Sequence, residues 1–435
     1  MMTDAITNPL ASLHPLRFNS EWVAQLFAQA DKVWVGFSGG VDSHVLLHAL
    51  ATQLSLLQKQ KLVVLHVHHG LSVNADHWLK HCELICDHLG VSFVAERVQL
   101  KPQASLEDAA RNARYEAFQK HMRGRDVILL AHHAGDQVET VLFRLLRGTG
   151  GKGLLGIPQA RGIGEEDARL IRPLLVISKE DIEDYAQQHQ LSWIDDESNG
   201  DERFARNFLR HRVVPMLKQR FPKMEQNIAS SARRIATDYA MLAQFAQQQL
   251  DAWCNEFGGL DLSYIMVKST DERLFWWRHF LATKNVSLPH AQLESIDRMF
   301  ASTADKRPEF VFSNGRIMRH QNIIYLLPPD QAVKLSALVS GERLSRPFDS
   351  ICIIGSDDCE LQARPQSESL IMPNGRTRKL KKWLNDQAIP NWWRDHLPYI
   401  YQGNTLVAIG NLWFHPDYSH IKVDWQVSKD LPLPK

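Results

Sequence analysis

The feature that most restricts this chain is a regular alternation of short apolar runs and helix-periodic segments between residues 20 and 215. Lys32–Phe37 reads as a strand, and Val41–Leu57 as a helix with Leu46, Leu47 and Leu50 on one side. Leu62–Val67 is a second strand, Ala75–Leu89 a helix and Ser92–Val98 a third strand. Ser105-Leu106-Glu107-Asp108 opens a helix running to Met122, the serine hydroxyl capping the first turn and Asp108 returning the bond. Asp126–Ala131 (DVILLA) is almost continuously apolar, as expected of a strand in a sheet covered on both faces. Gly135–Leu146 and Ser178–Gln188 read as further helices. Strands separated by helices run parallel with right-handed crossovers. The expected fold class is α/β, a doubly wound parallel sheet.

The remainder changes character. Asn227–Trp253 places Ile228, Ala232, Ile235, Tyr239, Leu242 and Phe245 at three- and four-residue steps, a helical stripe. Ser269 with Glu272 forms a capping box ahead of Phe275, Trp276, Trp277 and Phe280, and Pro289–Phe300 is another helix. Glu309–Leu327 reads as a hairpin around Ser313-Asn314-Gly315, and Pro328-Pro329-Asp330 as a linker. The last hundred residues mix short strands with one basic helix, Thr405–Ile409 pairing with Tyr399–Tyr401. The expected organisation is an α/β catalytic domain (20–215), a mainly helical domain ending in a hairpin (216–328) and a small α+β domain (335–435).

The chemistry lies in VGFSGGVDS, between the first strand and the first helix of the alternation. At such a turn, helix N–H groups point outward without partners and carry a partial positive charge. Gly39 and Gly40 let the main chain approach phosphate oxygens, with Val41 opening the helix and Ser38 and Ser43 supplying hydroxyl donors. Asp42 repels phosphate unless a cation lies between, so it is the expected Mg²⁺ ligand. The Lys of the common nucleotide loop, GxxxxGK[ST], is missing. A loop of this kind suits holding pyrophosphate as a leaving group while the α-phosphate is attacked. The expectation is ATP binding with cleavage to AMP and pyrophosphate.

Composition narrows the partners only by exclusion. A net charge of +1 advertises no polyanion, so any nucleic acid must be held by local patches. No stretch approaches ~18 consecutive apolar residues, so no membrane span is expected. The opening twenty residues have no secretory pattern. Five scattered cysteines without a CxxC fit a reducing cytoplasm; Cys82 and Cys86, four apart, read as semi-buried thiols.

The loop resembles that of the pyrophosphatase-loop adenylating enzymes. Further stretches are more selective: His66–Leu71 (HVHHGL), Leu106–Phe118 (LEDAARNARYEAF), Ala131–Thr140 (AHHAGDQVET), the glycine-rich Leu146–Ile157, Arg172–Leu175 (RPLL), and Trp193–Leu217 with WIDDESN and RFARNFLRHRVVPML. In this order, with KLKKWL (379–384) and IPNWWRDHLPYIYQGNTLVAIG (389–410), they resemble the tRNA(Ile)-lysidine synthetases almost end to end. Two positions depart from that pattern. His68 stands where Asp or Asn is usual, and Gly135 replaces the first of two aspartates, leaving Asp136 alone.

The resemblance implies an N-type ATP pyrophosphatase-like fold. It also implies a ligase acting on the wobble cytidine of an isoleucine tRNA, with ATP, Mg²⁺ and free L-lysine. The cytosine C2 oxygen attacks the α-phosphate, and the lysine amine then displaces AMP. Asp136 and Glu139, three apart on one helix, can face one site and bind Mg²⁺, the cytidine or the ammonium; a solvated helix face is the plain alternative. His133 is a candidate acid or base, and His132 reads as structural. His69, Arg111 and Arg114 are candidates for substrate contact. Arg203, Arg206 and Arg210 fall on one side of a helical wheel opposite Phe204 and Phe208, as an RNA rail would. Arg378, Lys381 and Lys382 form a second basic face, anchored by Leu380, Trp383 and Leu384. Another chemistry on the same loop, such as a tRNA thiolase, is the competing reading; the cysteine pattern opposes it.

Overall fold

The computed structural model describes residues 9–12, 16–70, 72–99, 106–164, 167–195, 200–301, 308–332, 335–356, 358–429 and 431–433. They divide into two compact units, up to residue 240 and from residue 241.

The first unit is built on a sheet of β1 (Val33–Gly36), β2 (Leu62–His68), β3 (Ser92–Arg97), β4 (Val127–Leu129), β5 (Ala160–Gly162) and β6 (Arg169–Ile171). Their order is β3-β2-β1-β4-β6-β5, parallel except for the edge pair β5–β6. The strand order reverses between β1 and β4, and at such a switch point the loops leaving neighbouring strands diverge and open a crevice. Six helices accompany the sheet: α1 (Ser20–Gln29), α2 (Val41–Ala51), α3 (Ala75–Leu89), α4 (Leu106–His121), α5 (Ala134–Leu146) and α6 (Lys179–Gln188). Val33, Val35, Val64 and Leu129 point into one core with Leu26, Leu47, Cys82, Cys86 and Tyr185. Trp34, Val63, Leu65 and Ile128 point into a second core with Phe118 of α4 and Met122 just beyond it. This two-sided burial is the doubly wound arrangement expected of strands as apolar as DVILLA.

Two local expectations change. α2 ends at Ala51, and Ser55 caps a separate short helix, Leu56–Lys61, through a reciprocal bond with Gln58. α2 is also buried nearly all round, from Ser43 to Leu47 and Ala49 to Ala51, because it lies between the sheet and α6. Leu46, Leu47 and Leu50 therefore do not define a side. The capping box at Ser105 lies outside the described residues.

The helix Met224–Trp253 is 30 residues long. Along it Ala232, Ala246 and Leu250 are buried, whereas Leu242 and Phe245 of the expected stripe are exposed. In the second unit Ser269 and Glu272 form the expected capping box of helix Thr270–Ala282, with Trp277 and Phe280 in the core beside helix His290–Phe300. The hairpin Glu309–Phe312/Gly315–His320 gains Ile323–Leu327 and Leu260–Asp261 as third and fourth strands. Asp330 of the linker is tied to Arg316 and His396. In the C-terminal part Tyr399–Gln402 pairs antiparallel with Thr405–Ile409, and Leu380, Trp383 and Leu384 anchor the basic helix Leu380–Asp386. Among the described residues no helix is long and apolar enough to cross a membrane.

Candidate functional site

The loop leaves β1 and enters α2 beside the switch point. Gly39 has φ +88°, and a Cβ there would lie 2.7 Å from Ile194 Cδ1 and 3.0 Å from Cys82 Sγ, so the position admits only glycine. The Ile194 N–H donates to the Gly39 carbonyl at 3.0 Å, and His44 Nδ1 lies 2.8 Å from the Ser192 carbonyl. The WID segment thus clamps the loop from outside. Ser38 and Ser43 brace it from within: their hydroxyls are 3.1 Å apart, and Gly40 N–H reaches Ser38 Oγ at 3.3 Å. The N–H groups of Val41, Asp42 and Ser43 open the helix with no intrahelical acceptor, as an anion site requires.

Asp42 is not alone. Lys179 Nζ lies 2.6 Å from its Oδ1. Lys179 begins α6, where a cation opposes the helix dipole, so its place is explained by Asp42 and not by the helix. The cation absent from the loop sequence is therefore supplied from a position 137 residues later. Sequence reasoning missed it; a lysine in a first helical turn was the available clue.

Asp136 and His133 lie together at the start of α5, and Glu139 is held one turn further on by Arg210. Asp136 and Glu139 sit in the first two turns of α5, and Arg210 clamps Glu139 through Nε and Nη2 at 2.6 and 2.8 Å. Arg210 Nη2 also lies 3.5 Å from Asp136. Burial raises the Glu139 carboxyl above its usual range despite Arg210. Burial works the same way on Asp136, yet His133, His132, the His133 N–H and Arg210 outweigh it and hold this carboxyl below the usual range. His133 caps α5: its Nδ1 accepts the Gly135 N–H at 3.0 Å, while its own N–H donates to Asp136 Oδ2 at 2.9 Å. With Nδ1 so used, the neutral ring carries its proton on Nε2, 3.6 Å from Asp136 and 3.9 Å from Asp42. Gly135 has a physical role here, since a Cβ would lie 2.8 Å from His133 Cε1. The imidazole occupies the space that a side chain at 135 would need.

Of these groups Asp42 and Asp136 border a cavity of about 570 Å³, large enough for a nucleotide; its lining does not include His133, Glu139 or Arg210. Ser38, Asp42 and Ser43 line one wall, and Arg111, Arg114, Tyr115 and His132 another, with His66–Gly70 between. His69 thus faces the cavity as expected. His68 Nε2 lies 3.3 Å from Asp76, which Arg97 also holds at 2.6 Å, so the departure at this position sits beside an Asp–Arg pair. His132 is held from behind: its Nδ1 accepts from Arg172 Nε at 3.2 Å, and burial lowers its pKa to about 4.

The arginine rail is not a helix face. Arg203 precedes the helical segment and pairs with Asp201 at 2.7 Å, α-helix begins only at Ala205, and a π-helix spans Leu209–Val213. The wider π turn breaks the 100° register and turns Arg210 onto Glu139, while Phe208 is exposed rather than core-facing. Arg206 stacks on Phe143. In the second unit Lys381 and Lys382 are exposed, but Arg378 lies on the strand Thr377–Lys379 and pairs with Asp386. The glycine-rich segment is latched and includes a helical turn, Gly151–Leu154: Gln137 bonds both backbone groups of Ile157, and Arg144 donates to the carbonyls of Gly153 and Gly156. Cys82 and Cys86 are buried, which pushes both thiols up to about 12, unsuited to sulfur transfer.

An anion loop at the switch point of a doubly wound sheet, with ionised groups in the same cavity, defines an ATP-using enzyme of the PP-loop class, and residues 16–217 match the PP-loop domain family. Residues 359–427 match the TilS substrate C-terminal domain family. The chain is 35% identical over 395 residues to the tRNA(Ile)-lysidine synthase of Pseudomonas putida, spanning 87% of this chain and 92% of the relative. It is 33% identical over 431 residues to that of Legionella pneumophila (93% and 94%) and 35% over 410 residues to that of Vibrio cholerae (89% and 92%). The chain belongs to the tRNA(Ile)-lysidine synthase family.

Proposed function

We propose that this site uses ATP to adenylate the C2 oxygen of the wobble cytidine of an isoleucine tRNA and then joins free lysine to C2, releasing AMP and pyrophosphate. One observation carries the reading: the phosphate loop and Asp136 line the same cavity, with His133 Nε2 3.9 Å from Asp42. Activation and amine transfer need both.

The open N–H groups of Val41–Ser43 hold the phosphates, and Ser38 and Ser43 fix the loop that presents them. Asp42 fits a magnesium ion. Among the described residues no three His, Cys, Asp or Glu side chains gather as a ready-made cage, and magnesium held by one carboxylate and substrate phosphates needs none. Bound there, magnesium would neutralise the charge of the departing pyrophosphate. Lys179 already places a cation against Asp42. Asp136, held ionised, pairs with the incoming ammonium and orients it; once the ammonium has given a proton to solvent, the amine attacks C2 and AMP leaves. His133, a donor at Nε2, serves as the acid that steadies charge on the leaving adenylate. Arg210 fixes both carboxylates. Lys381 and Lys382 contribute to tRNA binding from the C-terminal part.

The test is ATP–pyrophosphate exchange together with incorporation of labelled lysine into unmodified isoleucine tRNA. The expected result is exchange that depends on tRNA and one lysine per tRNA. A requirement for a sulfur donor, or exchange without lysine incorporation, would overturn it.

A further inference from the structure

Among the described residues, three guanidiniums gather round Tyr115 without a carboxylate. Arg161, on edge strand β5, has its Cζ 4.6 Å from the ring centroid, and Arg111 of α4 has its Cζ at 5.5 Å. Arg172 lies beneath, 2% exposed, donating to the Tyr115 hydroxyl at 3.3 Å, to His132 and to the Pro158 carbonyl. Among the described residues, the partners of these three arginines are a ring, a phenol, an imidazole and a carbonyl. Like charges held this close repel, and burial of Arg172 sharpens the repulsion. Their field shows in the phenol: burial opposes its ionisation, yet Arg172, Arg111 and Arg161 outweigh burial and hold it below its ordinary range. Among the described residues no anion answers this cluster.

We propose that Arg161 and Arg111, oriented by Tyr115, clamp a backbone phosphate of the RNA strand whose base enters the cavity. Stacking on an aromatic ring fixes a guanidinium plane while leaving its N–H edge free for bidentate phosphate binding. A ring already covered by two cations offers little face to a base, so the ligand is phosphate and not a stacked nucleobase. The triphosphate of ATP is a poor candidate. β5 lies three strands from β1, or ~14 Å at the usual strand spacing, and Arg161 is exposed at the sheet edge, outside the cavity wall that carries Arg111. An RNA strand with its target base beside the loop has phosphates at that reach. The proposal rests on the RNA-modifying reading and assigns Arg161 as a positioning residue.

The experiment measures binding of an anticodon stem-loop and of ATP to the full chain and to Arg161→Ala and Arg161→Glu, across a salt series. The expected result is a stem-loop Kd raised several-fold by Arg161→Ala and further by Arg161→Glu. The salt slope should fall by ~0.7 for the alanine variant, one phosphate contact on a single strand, with ATP affinity unchanged. An unchanged Kd and slope, or a loss of ATP affinity equal to the loss of RNA affinity, overturns the clamp. Lysine incorporation by the unaltered chain separates the two ideas. If it succeeds while Arg161→Glu binds RNA normally, the clamp alone fails; if it is absent, the reading of function fails whatever Arg161 does.

Discussion

Lys179 Nζ sits 2.6 Å from Asp42 Oδ1, joining the first residue of one helix to the first turn of another. Both groups are about one-third exposed, so the pair is partly screened and its main effect is local charge. Lys179→Met leaves the loop with an uncompensated carboxylate. ATP affinity without magnesium should fall by about tenfold or more, the worth of one charge-assisted hydrogen bond. Added magnesium should restore part of it. Titration calorimetry with and without the metal checks this, and Asp42→Asn should show the opposite dependence, with pyrophosphate release suppressed when magnesium is present.

Removing Arg210 leaves Glu139 buried without its partner. Arg210→Ala should destabilise the first unit by about 1–3 kcal/mol, below the full cost of breaking a buried pair because Arg210 is itself 39% exposed. The double change with Glu139→Gln should recover stability but not lysine transfer. Urea unfolding of both variants followed by tRNA lysine incorporation checks the pair.

Gly135 makes room for the imidazole of His133. Gly135→Ala should push that ring off the end of α5 and cost lysine transfer about tenfold, near the worth of one hydrogen bond. Pyrophosphate exchange, which depends on the other wall, should change less. The ¹⁵N shift of His133 Nδ1 reports whether its bond to Gly135 is lost.

Stability should fall in mild acid. Burial lowers His44 to about 4 from an ordinary 6.5, and His132 likewise. Between these values the unfolded chain binds more protons, so stability rises with pH there. The contribution is complete above pH 6.5 and disappears as pH drops through about 4. His44, 4% exposed, is worth up to about 3 kcal/mol. His44→Asn should flatten the unfolding profile over this window.

Lys381→Glu with Lys382→Glu should weaken tRNA binding and lower its salt slope by up to ~1.8, two phosphate contacts, without altering ATP affinity. Binding measured from low to physiological salt checks it.

What the sequence made legible was whatever depends on near neighbours. The strand–loop–helix around Gly39, the bounds of α3 and the capping box at Ser269 follow from spacing alone. The His133–Asp136 pairing is local too. What escaped depends on distant chain. Lys179 meets Asp42, Arg161 meets Tyr115 and Ile194 meets Gly39 across separations that no periodicity records. Arg210 failed for a different reason: a helical wheel assumes 100° per residue, and the π turn at Leu209–Val213 breaks that assumption.

Three contacts that shape the ATP loop come from residues 179–194: the Lys179 ammonium on Asp42, the Ser192 carbonyl on His44 and the Ile194 amide on Gly39. The loop itself ends at residue 43. A chain emerging from the ribosome therefore exposes its nucleotide-binding sequence long before it can close the site. ATP capture becomes a report that the chain has been made at least as far as residue 194, and a chain truncated before it would carry the motif without these three braces.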